Sequence, residues 1–136
     1  MTGDPLIGGL VPMIFVSDVD RSAAFYRSLG FEIGNYVPPG AKRKEWAWLY
    51  APAAEDWKRG PNLMLTRTET PAPGNREGVL FYLYAPDLPS LRARLIEAGL
   101  GPGEITYPDY LPNGEMCLQD PDGYTLMIAQ SADDTP

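Results

Sequence analysis

The sequence contains no histidine and a single cysteine, Cys117. Zinc sites built on His and Cys are therefore excluded. So are the Ser-His-Asp and Cys-His nucleophile systems and the two-histidine facial triad of non-haem iron. One cysteine also precludes an intramolecular disulfide, which suits a reducing compartment. Positive charge is scarce: 11 Lys and Arg against 18 Asp and Glu leave a net charge of −7 at pH 7. Nucleic-acid binders carry a basic footprint, so no nucleic-acid partner is expected. Acidity of this size favours cationic partners or plain solubility. No apolar run approaches the ~20 residues of a membrane span, and the N-terminus lacks a charged region followed by an apolar stretch. The expectation is a cytoplasmic protein with no membrane partner.

What the 136 residues do contain is a globular composition, 44% hydrophobic and 21% charged. A chain of this length forms one domain and buries a sizeable core without staples. It also contains its own repeat. Shifted by 69 positions, Asp18 falls on Asp87, Val19 on Leu88, Ser22 on Leu91, Tyr26 on Leu95 and Gly30 on Gly99. The register runs on from Ala51-Pro52 to Asp120-Pro121. After a six-residue correction for the longer loop 53–60, Leu63-Met64-Leu65 falls on Leu126-Met127-Ile128. Positions 19, 22, 26 and 29 follow helical spacing. Asp18 and Asp87 sit where an N-cap is needed, and Gly30 and Gly99 where a left-handed residue ends a helix.

Each copy reads strand–helix–strand–strand–strand, which predicts an α+β fold of two tandem βαβββ units forming curved mixed sheets around a cleft. The first unit spans 8–69, with strands Pro12–Val16, Phe31–Val37, Glu45–Ala51 and Asn62–Arg67 and a helix over Asp20–Leu29. The second spans 78–130, with strands Val79–Ala85, Glu104–Tyr107, Glu115–Gln119 and Tyr124–Ala129 and a helix over Leu88–Ala98. Residues 70–77 have linker composition, and 131–136 read as a frayed tail. Pro121-Asp122-Gly123 is a hairpin turn in which Pro presets φ and Gly supplies a positive one.

Side chains alternate along a strand, so each strand divides into two faces. One face is aliphatic: Ile14 and Val16, Ala47 and Leu49, Leu63 and Leu65, Met116 and Leu118, Leu126 and Ile128. It suits packing under a helix. The other face carries Val11, Met13 and Phe15 on the first strand, Trp46, Trp48 and Tyr50 on the third, and Met64 on the fourth. In the second unit it carries Leu80, Tyr82 and Tyr84, then Glu115 and Cys117, then Met127. This second face is too apolar to be left to water. It requires a partner chain, another sheet or a ligand.

The segment Val16-Ser17-Asp18-Val19-Asp20-Arg21-Ser22-Ala23-Ala24-Phe25-Tyr26-Arg27-Ser28-Leu29-Gly30-Phe31 resembles the first-unit signature of the vicinal oxygen chelate superfamily. Asp120-Pro121-Asp122-Gly123-Tyr124 resembles its terminal hairpin. The superfamily includes glyoxalases, extradiol dioxygenases and bleomycin resistance proteins, and the resemblance covers residues 8 to 130. In its metal-dependent members the resemblance implies ligands at four positions, which fall here on Val11, Met64, Leu80 and Met127. All four are apolar, so no metal and no cofactor is expected. The resemblance also implies a homodimer, and a metal-free subgroup that sequesters a cationic antibiotic among aromatic side chains.

Candidate ligand-binding residues are therefore Met13, Phe15, Trp46, Trp48, Tyr50 and Met64 in the first unit. In the second they are Leu80, Tyr82, Tyr84, Cys117 and Met127. An apolar aromatic pocket of this kind suits planar or cationic small molecules. The alternative is an enzyme of the superfamily with no metal or non-standard ligands, with Glu115 as general base. Its plainer reading is an exposed carboxylate at a strand start, as that of Cys117 is a small buried hydrophobe. A third possibility is that the aromatic face is a dimer interface. Trp57 is a candidate lid or interface anchor, its plainer and favoured reading being a loop aromatic that covers the sheet edge, and Lys42-Arg43-Lys44 reads as a solvated loop tip.

Overall fold

The computed structural model describes residues 6–54, 60–69 and 79–131. The chain divides into two compact units, residues 1–71 and 72–136. Trp57, the linker 70–77 and the tail beyond Ser131 lie outside the described residues.

The first unit contains β1 (Met13–Val16), α1 (Val19–Arg27), β2 (Glu32–Val37), β3 (Trp46–Tyr50) and β4 (Asn62–Arg67). Its sheet has the order β1-β4-β3-β2. β1 runs parallel to β4 with Met13 beside Met64, and the remaining pairs are antiparallel. The second unit contains β5 (Leu80–Ala85), α2 (Leu88–Glu97), β6 (Glu115–Gln119) and β7 (Thr125–Gln130). Its sheet has the order β5-β7-β6, with β5 parallel to β7 and Tyr82 beside Met127. Both sheets are mixed: the first strand of each runs parallel to the last, with a helix in the chain between them, and the last two strands are antiparallel, joined by a hairpin or a simple return.

The repeat read from the sequence is the repeat of the structure. β3 and β6 correspond residue for residue, as do β4 and β7. Both helices begin alike: the Asp18 carboxylate accepts from the Arg21 amide at 3.0 Å, and the Asp87 carboxylate from the Ser90 amide at 3.1 Å. Each bond satisfies one amide that the first helical turn leaves free. They also end alike. Gly30 and Gly99 take positive φ, 95° and 79°. The next residue then donates back to the last turn, Phe31 to the Tyr26 carbonyl at 3.2 Å and Leu100 to the Leu95 carbonyl at 3.0 Å. This is the Schellman closure that a glycine makes inexpensive.

The aliphatic face of each sheet is the core. Ile14, Val16, Ala47, Leu49, Leu63 and Leu65 are buried in the first unit, where α1 brings Val19, Ala23 and Tyr26 against them. In the second, Met116, Leu118, Leu126 and Ile128 are buried together with Leu88 and Leu95 of α2. Each fully buried Leu or Ile of this set contributes about 1.5–3 kcal/mol relative to exposure. The end of β7 is fixed to the start of α2 by Gln130. Its side-chain oxygen accepts from the Leu88 amide at 2.8 Å, and its side-chain nitrogen donates to the Pro86 carbonyl at 2.7 Å.

The expected strand Glu104–Tyr107 is not a strand among the described residues. Gly103 donates to the Cys117 carbonyl of β6 at 2.9 Å, but only Thr106 and Glu115 form a bridge, exchanging two bonds of 2.9 Å. The sequence around it explains the interruption. Pro102 has no amide to donate, Gly101 has a positive φ of 63°, and the Gly103 carbonyl accepts from the Arg92 guanidinium at 2.8 Å. The other boundaries differ from expectation by one or two residues, within the fraying of element ends.

Lys42 and Arg43 are exposed, as a solvated tip requires. Lys44 is not part of that tip. Its ammonium lies 2.8 Å from the Asp20 carboxylate and 4.8 Å from the centre of the Tyr36 ring, and its amide donates to the same carboxylate at 3.2 Å. Burial works to raise the Asp20 carboxyl, but the Lys44 bonds and charge outweigh it and hold the group below its ordinary value.

Candidate functional site

On the first sheet, residues opposite one another across the strands share a face. The rung Met13, Met64, Trp48, Asn35 is followed by Phe15, Thr66, Trp46, Val37. This is the side away from the aliphatic core, and Met13 and Phe15 are exposed on it. Trp48 and Tyr50 lie nearly parallel, with ring centres 5.2 Å apart and planes at 15°. The register of β2 against β3 is interrupted between Ile33 and Asn35, so Gly34 is the bulged residue. A Cβ placed on Gly34 would meet Trp48 Cζ3, would lie 2.5 Å from Trp48 Cε3 and 3.1 Å from Tyr50 Cδ1. The rings therefore lie against the bare backbone of Gly34 rather than standing out from the sheet.

The polar edge of the indole is also held. Trp48 Nε1 donates to Asn62 Oδ1 at 3.1 Å, and Asn62 Nδ2 donates to the Gly60 carbonyl at 3.3 Å. Asn62 and Gly34 were not singled out from the sequence. The signal for Asn62 was available, since a half-buried indole N–H needs an acceptor and a side chain one rung along the neighbouring strand supplies it.

On the second sheet the rungs are Tyr84, Ala129, Glu115, then Tyr82, Met127, Cys117, then Leu80, Thr125, Gln119. The Tyr82 and Tyr84 rings stack at 6.3 Å and 25°. Two expectations are corrected here. Cys117 is exposed, not a buried hydrophobe, because alternation puts it on the face opposite buried Met116 and Leu118. Glu115 is buried, only 4% exposed, not a solvated strand-start carboxylate. Tyrosine hydroxyls close over it: Tyr82 donates to Oε1 at 2.9 Å and Tyr110 donates to Oε2 at 2.7 Å. β7 lies between β5 and β6, so the Tyr82–Glu115 bond spans Ala129, whose small side chain is fully covered. The hydrogen bond to Glu115, then burial, raises the Tyr82 hydroxyl far above its ordinary value; the same bond raises Tyr110. Tyr110, in the loop before β6, carries no periodic signal in the sequence.

The four positions implied for metal ligands do not fit a hard or borderline cation. Met64 and Met127 offer only thioether sulfur, and Val11 and Leu80 offer no donor. Met64 has Met13 as its parallel neighbour, with Val11 just beyond the strand, and Met127 has Tyr82. No group of three or more Cys, Asp or Glu among the described residues is placed to hold a metal.

Comparison with known proteins agrees with this architecture. Residues 10–40 match the family model described as bleomycin resistance protein-like N-terminal. No curated protein matches the sequence. A bleomycin-binding protein solved with bleomycin is similar in structure, at 20% identity and a TM-score of 0.63, covering 90% of this chain and 98% of that one. An antibiotic-binding protein from Streptomyces sp. CB03234 aligns with a TM-score of 0.66 and 21% identity over 95% of this chain and 100% of its own. A glyoxalase-related enzyme from Clostridium phytofermentans aligns with a TM-score of 0.70 and 15% identity over 94% of this chain and 98% of its own. The fold is the one shared by these solved proteins. Within it, the opening strand and helix carry the bleomycin-resistance-like sequence. No helix among the described residues is long and apolar enough to cross a membrane.

Proposed function

We propose that this protein binds a small aromatic or cationic organic molecule, without a metal, on the aromatic faces of its sheets, and that it does so as a homodimer. The carrying observation is the chemistry of the second sheet face. Side chains without a nitrogen or oxygen donor occupy the positions where a metal-dependent relative needs ligands, and aromatic side chains share the same faces. Rings held in place, as Trp48 is by Asn62 and Gly34, bind a planar ligand with little ordering cost. The structures solved with bleomycin or described as antibiotic-binding support the same reading. Antibiotic sequestration is the role it suits.

Glu115 does not favour an enzyme. Both of its oxygens accept a hydrogen bond from a tyrosine hydroxyl, which holds the carboxylate as a hydrogen-bond acceptor rather than setting it up as a base.

The test is a tryptophan-fluorescence titration with metal-free bleomycin and with ethidium. Saturable quenching by at least one is expected. Trp48→Ala should weaken that binding by about 1 kcal/mol, roughly fivefold, if stacking contributes. Absence of saturable binding by both probes, or affinity unchanged in folded Trp48→Ala, contradicts the proposal.

A further inference from the structure

The Tyr82–Glu115–Tyr110 cluster has a property that its sheet position does not require. Glu115 is a buried carboxylate whose partners are all neutral: two phenolic hydroxyls, and through its backbone Thr106. No Lys or Arg among the described residues pairs with it, although Asp20, Glu32, Glu45, Glu69 and Glu104 each have one. Buried charges are ordinarily paired, because removing an ion from water without a counter-charge is costly. Several more exposed carboxylates are ion-paired, whereas the hydrogen-bond partners of the buried Glu115 carboxylate are neutral.

We propose that this cluster is a subsite for an N–H-bearing organic cation, an amidinium, guanidinium or ammonium group of the ligand. The assignment rests on the reading of this sheet face as a ligand surface. Each carboxylate oxygen has two acceptor positions. The tyrosines use one on each, so a second remains on each for the incoming N–H groups. The Tyr82 and Tyr84 rings, stacked beside the carboxylate, offer π faces to the same charge. Tyr110 is 69% exposed and bound through its hydroxyl to Oε2, so it is the partner a cation would displace or share.

Benzamidinium and benzamide test this, being planar, nearly identical in shape and different in charge. Binding is followed by chemical-shift titration of the whole chain. Benzamidinium is expected to bind about tenfold more tightly than benzamide, roughly the gain of a charged over a neutral hydrogen bond. Glu115→Gln, which keeps the shape and removes the charge, should bring that ratio close to one. Equal binding of the two probes to the wild type overturns the cation subsite but leaves the ligand surface standing, since both probes bind. A ratio that survives in Glu115→Gln also overturns it. Failure of both probes to bind overturns the ligand surface as well. Should Glu115→Gln not fold, the wild-type ratio decides alone.

Discussion

Replacing Gly34 by alanine adds one methyl group, and the structure says where it goes. The new Cβ would fall into the six-membered ring of Trp48 and stand 3.1 Å from Tyr50. The backbone at Gly34 does not have a positive φ, so alanine meets no conformational penalty there, and any loss is steric. Any retreat of the indole breaks contacts that hold it. Its Nε1 is bonded to Asn62, and its flank is stacked on Tyr50 at 15°. Overpacking of this kind costs about 1–3 kcal/mol. Loss of the indole hydrogen bond adds about 0.5–1.5 kcal/mol. Gly34→Ala should therefore lower stability by about 2 kcal/mol or more in urea unfolding, with a change in tryptophan emission as the ring leaves its plate. In a Trp48→Ala background most of that loss should vanish, because the ring that clashes is gone; a double-mutant cycle measures the coupling. Unchanged stability of Gly34→Ala, or strictly additive effects in the double variant, would refute the claim that the rings rest on the Gly34 backbone.

Two further consequences follow from the hydrogen bonding. Asp87→Ala removes the carboxylate that accepts from both the amide and the hydroxyl of Ser90, and should cost about 1 kcal/mol in thermal or urea unfolding; an unchanged midpoint would deny the cap its role. The Tyr82 hydroxyl is raised above its ordinary value of 10.0 by its bond to Glu115 and by burial. Its contribution to stability is therefore complete below pH 10 and is lost as pH rises through the higher folded-state value. Spectrophotometric titration should find tyrosines that ionise late in the wild type and earlier in Glu115→Gln. Coincident titration curves would mean that the bonds to Glu115 do not persist in solution.

Much of the fold was legible because it is written twice. The shift that aligns Asp18 with Asp87 and Gly30 with Gly99 joins capping chemistry to helical spacing, and both caps and both Schellman closures appear where that register puts them. The alternation of β3, with Ala47 and Leu49 buried and Trp46, Trp48 and Tyr50 half-buried, is a local property of a strand and reads directly. Residues 104–107 misread because apolar and polar alternation there competes with flanking Pro and Gly, and because the Gly103 carbonyl is taken by a side chain from α2. Glu115 misread for a different reason. Its burial is produced by Tyr110, a loop residue, and by Tyr82, two strands away, and neither contact leaves a periodic trace. Cys117 had been placed on the correct face by alternation, but the frequency with which free cysteines are buried pointed the other way, and geometry prevailed. Lys44 likewise looked like part of a charged tip until the fold brought Asp20 beside it.

The central claim, that a ligand occupies the sheet face opposite the helices, has an internal reporter in the methionines. Met13, Met64 and Met127 lie on that face, Met13 being 49% exposed, whereas Met116 is 1% exposed in the aliphatic core. The most direct measurement is a methyl-resolved NMR titration of methionine-labelled protein with metal-free bleomycin and with benzamidinium. The account predicts saturable shifts of the Met64 or Met127 methyl, with or without Met13, while the Met116 methyl stays in place. Shifts confined to Met116, or binding that moves none of the three face methyls, would contradict it.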